Sequence, residues 1–139
     1  MRLDLYQAET AQVAKEQGAL LDDVNQKLIV GTTLSGLEQN DVLHALQVLI
    51  ENAIGKTKQI LKASGEPVPI SAYDSFNALV RIKQIPDSDL MAWNAIVGLR
   101  NRIVHEYMNI DIAKVLEIVR EERHLFVVEF LLAPIRIGK

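Results

Sequence analysis

An arginine, a histidine and a tyrosine fall within eight residues in the stretch Gly98-Leu99-Arg100-Asn101-Arg102-Ile103-Val104-His105-Glu106-Tyr107, which reads as R-x4-H-x-Y. Three chemistries could use such side chains. Metal binding fits poorly: His44, His105 and His124 are far apart, with no helical histidine pair and no carboxylate at matching spacing. Nucleophilic catalysis fits worse, since no serine accompanies the motif and the chain contains no cysteine. General acid–base attack on a phosphodiester fits best. RNA supplies its own nucleophile, the 2′-hydroxyl, so a protein need only move protons and steady the anionic phosphorus centre. Histidine titrates near neutrality, an arginine fork matches phosphate oxygens, and a tyrosine hydroxyl can donate one more hydrogen bond. No metal or other cofactor is required. A plainer reading stands beside this one: a histidine and two arginines at the C-terminal end of a helix also favour its dipole and cap its carbonyls.

The elements that must carry these residues read as helices throughout. A first helix is expected over about residues 2 to 29, with Tyr6, Val13, Leu20, Val24 and Leu28 on its core side. Gly31 to Gly36 is a connector. A second helix should begin after Asn40 as N-cap and run to about Ser64, closed by Gly65 and Pro67. Its two apolar stripes, Val42-Leu46-Leu49-Ala53-Ile60 and Leu43-Ile50-Ile54-Leu61, imply more than one neighbour, and Lys56, Lys58 and Lys62 suit its dipole. Ser71 caps a third helix from about Ala72 to Gln84, and Pro86 ends it. A fourth restarts at Asp87 or Ser88, and a fifth runs from Asn109 or Asp111 to about Leu132. The fifth is apolar nearly all round from Phe126 to Leu132, which invites a second subunit. No period-2 alternation is long enough for a strand, so the expected class is all-α: an up-down bundle of four to five helices in one domain, residues 1–139.

The fourth helix carries the anomaly. Its inward stripe should read Leu90, Trp93, Val97, Arg100, Val104, Tyr107, and a charge among apolar neighbours costs several kcal/mol without a partner or a wet cleft. The adjoining face, Asn94, Gly98, Asn101 and His105, is small or polar. On an ideal helix Arg100 and Tyr107 differ by about 20° and Asn101 and His105 by about 40°, but Arg100 and His105 by about 140°. Convergence of arginine and histidine therefore needs a helix end or tightening near Ile103, a wrapped arginine side chain, or a second subunit.

Bulk composition bounds the function. The chain has 139 residues, 49% of them hydrophobic, enough for one sizeable core. The absence of cysteine excludes thiolate sites and suits a reducing cytoplasm. The N-terminal residues lack the pattern of a signal peptide, and the most apolar run, Leu125 to Ile135, is too short for a membrane span and is interrupted by Glu129 and Pro134. A net charge of −3 argues against a broad nucleic-acid-binding face while leaving room for a small basic pocket.

At Val97 to Tyr107 the chain resembles the HepT-like branch of the HEPN superfamily, whose signature is R-x4-6-H, commonly R-x4-H-x-Y. The likeness extends more loosely from about Asn40 through Leu132, with Asp74-Ser75-Phe76 and the region of Leu46, Gln47 and Glu51 where the family pattern would place them. The first 37 residues carry no family motif. The resemblance implies an α-helical bundle that dimerises so that two motifs share a cleft. It also implies a metal-independent ribonuclease toxin of a toxin–antitoxin pair of type II or VII. Arg100 would hold the phosphate, His105 would move protons, and Asn101 would orient the histidine. Arg102 would add grip, and Glu51 would pair with Arg100 or Arg102 across helices. Tyr107 matches the tyrosine that the partner antitoxin, a minimal nucleotidyltransferase, modifies with AMP, and an anionic phosphate there would repel RNA. Two other readings compete with this one. The chain could be a non-catalytic subunit presenting nucleotide or substrate to a nucleotidyltransferase, or a purely structural dimer.

Overall fold

A computed structural model describes residues 2–137. Among them there are six α-helices and no strand: α1 (Leu3–Ile29), α2 (Gly36–Ala63), α3 (Ala72–Arg81), α4 (Leu90–His105), α5 (Ile112–Arg120) and α6 (His124–Leu132). None of the helices is long and apolar enough to cross a membrane. Both apolar stripes of α2 are buried, which makes it the central element. It packs against α1, α3, α4 and α6 and touches α5.

The first helix turns a different side inward from the one expected. Thr10, Ala14, Gly18, Leu21, Val24 and Asn25 are buried, whereas Tyr6, Val13, Leu20 and Leu28 lie at the margin of the core. Small residues on the buried line let α6 approach closely: a Cβ at Gly18 would sit 3.4 Å from a Val128 methyl. Helix α2 begins four residues before Asn40. Ser35 is its N-cap, accepting from the Glu38 backbone while the Glu38 side chain accepts from the Ser35 N–H, a reciprocal pair that satisfies two otherwise free donors. Lys27 adds an ion pair to Glu38 at 2.5 Å. The Lys27 ammonium and the Ser35 backbone N–H together hold the Glu38 carboxyl down to about 2.

The fifth helix of the sequence reading is two helices. Glu122 adopts φ 61°, the Arg123 N–H returns to the Ile118 carbonyl and the Glu122 N–H to that of Val119, the double closure that ends a helix through a left-handed residue. Lys83, at φ 63°, ends α3 at Arg81 in the same way, three residues before the expected Gln84. Neither residue is glycine, so neither stop is marked in the sequence.

Carbonyls at the ends of α5 and α6 are answered by side chains of α1 and α2. Buried Asn25 donates to Val119 and Arg120, closing α5. Lys56 is not a solvated dipole partner: it is 1% exposed, and its ammonium donates to the carbonyls of Phe130 at 2.7 Å, Leu131 at 3.4 Å and Ala133 at 2.5 Å, closing α6. Much of the apolar surface of α6 is buried within the chain, with Leu132 left 40% exposed. Val127, Val128 and Leu131 are buried in the chain's own core, and Phe126 and Phe130 pack on Trp93, which stacks on Phe76 at 4.4 Å.

Candidate functional site

Asp87–Asp89 form a 3-10 turn that leads into α4, and the helix then continues unbroken to His105. Trp93 and Val97 are each 1% exposed, and Leu99 and Ile103 complete the buried side. Arg100 lies seven residues after Trp93 and so points within about 20° of it. Its side chain is partly buried, and the Nε is inaccessible and has no hydrogen-bond partner among the described residues. No carboxylate among those residues lies within ion-pair distance of Arg100 or Arg102. Glu51 instead accepts from Gln47 in its own helix, at 3.4 Å, so the expected cross-helix pair is not formed.

The inward stripe does not continue past Arg100. Val104 and Tyr107 are 41% and 45% exposed, because the end of α4 overhangs the core. Asn101 is partly buried, and Arg102, His105 and Glu106 are exposed. The helix breaks at Glu106, whose N–H still reaches the Arg102 carbonyl at 2.8 Å, and a 3-10 turn covers Tyr107–Asn109. Asp111 then caps α5 by accepting from the Lys114 N–H. This break comes after the histidine, not near Ile103. Arg100 and His105 therefore stay on one continuous helix and diverge by about 140°, so a helix end does not bring them together within one chain.

Tyr107, past the break, is freed from the helical alignment and is turned toward α2. Its hydroxyl donates to the Oδ1 of Asn40 at 2.5 Å. Asn40, read from sequence as an N-cap, is thus an exposed residue inside the second turn of α2 that reaches the motif. The Ser35-x-x-Glu38 pattern would have revealed this, since it starts the helix earlier and moves Asn40 inside.

The small-residue face of α4 is occupied rather than open at one point. A Cβ on Gly98 would lie 3.6 Å from both the Tyr73 hydroxyl and an Arg102 guanidinium nitrogen. Arg102 also borders two cavities of about 420 Å³ each. The first is apolar and runs between α2, α4 and α6; the second lies against Glu106, Asp111 and Lys114. Arg100, Asn101, His105 and Tyr107 line neither. The described residues hold no cluster of three or more metal-ligating side chains.

A family model described as ribonuclease HepT-like matches residues 18–129. The chain belongs to the HepT-like ribonuclease family. The match starts within α1, so the HepT-like region includes part of the N-terminal stretch in which no family motif was legible. Among solved structures, one described as the toxin–antitoxin with AMP-PNP contains a chain of the same fold, with a TM-score of 0.77 at 22% identity over 94% of this chain and 98% of that one. A comparison with curated proteins gives no match.

Proposed function

We propose that this HepT-like chain is a metal-independent endoribonuclease toxin that works as a homodimer, with Arg100 and His105 as its catalytic residues. The observation that carries the reading is the continuity of α4 through His105. It leaves a partly buried arginine without a partner among the described residues and an exposed histidine on well-separated faces of one helix, an arrangement of little use alone. Two copies facing each other would let the arginine of one motif and the histidine of the other address the same phosphate.

In that cleft one His105 takes the proton of the 2′-hydroxyl as its oxygen bonds to phosphorus. The bond from phosphorus to the 5′-oxygen breaks, and the leaving oxygen takes a proton from water. The products are a 2′,3′-cyclic phosphate and a 5′-hydroxyl. Arg100 holds the non-bridging oxygens as charge grows on them, Asn101 orients the histidine, and Arg102 adds grip on the RNA backbone. Control falls to Tyr107, the acceptor of AMP from a nucleotidyltransferase antitoxin that silences the chain by this transfer, by binding over the cleft, or by both. The toxin–antitoxin structure with AMP-PNP supports such a partner.

The test is cleavage of RNA by the purified chain in the presence of EDTA, with the product ends identified. Parent protein should release cyclic phosphate ends, and Arg100→Ala and His105→Ala should lose the activity while remaining folded dimers. Undiminished cleavage by both variants would overturn the mechanism. A folded parent that cleaves nothing yet binds the nucleotidyltransferase and nucleotide tightly would point to a non-catalytic subunit.

A further inference from the structure

The contact between Tyr107 and Asn40 joins two exposed side chains 67 residues apart. Water could satisfy both groups, so the bond adds little to stability. Its effect is positional. It ties the 3-10 turn that follows α4 to the second turn of α2 and gives the tyrosine hydroxyl one direction. With its proton committed to Asn40 Oδ1, the phenolic oxygen presents its lone pairs away from α2.

The residue at position 40 is an amide, which differs from a carboxylate in a way that matters here. An ionised aspartate could accept from the hydroxyl equally well, but an asparagine also has two N–H donors on the same planar group. Transfer of AMP from ATP forms a bond between the phenolic oxygen and the α-phosphorus. It breaks the bond from that phosphorus to pyrophosphate and releases the phenolic proton. The modified tyrosine has no proton left to donate, so Oδ1 would face an ester oxygen, acceptor against acceptor. A half-turn of the amide replaces Oδ1 by Nδ2, whose N–H can donate to the new phosphate.

We propose that Asn40 is a positioning residue with two settings: its carbonyl holds the free Tyr107 hydroxyl, and its N–H holds the phosphate once AMP is attached. This rests on the reading of Tyr107 as the AMP acceptor. Asn40 thereby aims the hydroxyl for transfer and retains the adduct at the second turn of α2.

The experiment measures the initial rate of AMP incorporation at Tyr107 by mass spectrometry, with ATP and the nucleotidyltransferase. The full-length parent is compared with Asn40→Ala, Asn40→Asp and Asn40→Gln. All four should share one thermal unfolding midpoint, because position 40 is exposed. Asn40→Ala should be modified about tenfold more slowly, the effect of one lost hydrogen bond. Asn40→Asp should be slower still, since its carboxylate repels the incoming phosphate, and Asn40→Gln should recover part of the rate. If position 40 only braced the hydroxyl, Asp would match Asn, and that result overturns the proposal, as does an alanine variant modified at the parental rate. A parent that takes no AMP at Tyr107 overturns the acceptor reading and the two settings together, whereas a modified parent matched by Asn40→Asp removes only the latter.

Discussion

Lys56 and Arg100 are both long cations reaching inward from helices that pack together, α2 and α4, and the fold treats them in opposite ways. The Lys56 ammonium is surrounded by three carbonyls at the end of α6 and lies 5.1 Å from the centre of the Phe130 ring. Arg100 has no acidic partner among the described residues and a buried Nε with nothing to donate to. A buried cation that is fully hydrogen-bonded has its charge absorbed by the fold. One held without partners keeps its capacity to bind an anion, at some cost to stability. The difference separates a residue whose charge the fold uses to close a helix from one whose guanidinium is left available.

Substituting methionine at each position breaks the comparison most directly. Arg100→Met should lower RNA cleavage about 10²–10³-fold, as for other lost anion-stabilising donors, while urea unfolding stays within about 1 kcal/mol of the parent, because no pair is broken. Lys56→Met should do the reverse and remove about 3 kcal/mol of stability by orphaning the α6 carbonyls. Remaining cleavage should then track the folded fraction. Equal destabilisation by the two changes would show that Arg100 is structural after all.

A pH series sharpens the Lys56 half. Burial pushes its ammonium down to about 8, against roughly 10.4 in an unfolded chain. Between these values the unfolded state holds more protons, so this residue's contribution to stability rises with pH. The cost of burying the charge is fully present below pH 8 and is relieved toward pH 10.4. Urea unfolding of the parent should therefore gain on Lys56→Met from pH 8 to 10, the neutral amine still donating two N–H bonds. A parent that loses ground over that range would mean that the three carbonyls hold the charged form more strongly than burial opposes it.

The smallest expected effect tests the Arg100 half. Inorganic phosphate at millimolar concentration should raise the thermal midpoint of the parent by a degree or so, on the order of 0.5 kcal/mol by mass action. It should leave Arg100→Met unchanged. A shift of the same size in both proteins would assign the phosphate to another cation.

Much of the fold was legible because it rests on local patterns. The two stripes of α2, the caps at Ser71 and Asp111 and the boundaries of α1 all follow from short-range periodicity and capping chemistry. The misreadings also have local causes. Asn40 is as good a cap as Ser35 by residue type, and only the reciprocal bond to Glu38 decides between them. Lys83 and Glu122 end helices in a conformation normally left to glycine, at a cost of about 1–2 kcal/mol each, and no residue type announces that.

The sequence by itself determined the helical class, the family and the residues able to do chemistry, because residue identity and spacing carry that information along the chain. Only the tertiary structure decided which way those residues are turned. It broke α4 after His105 rather than before it, gave Tyr107 to Asn40, left Arg100 without a carboxylate among the described residues and set Lys56 against the end of α6. Those outcomes depend on where helices distant in sequence cross and how far each overhangs its neighbour. No pattern within a single helix contains that.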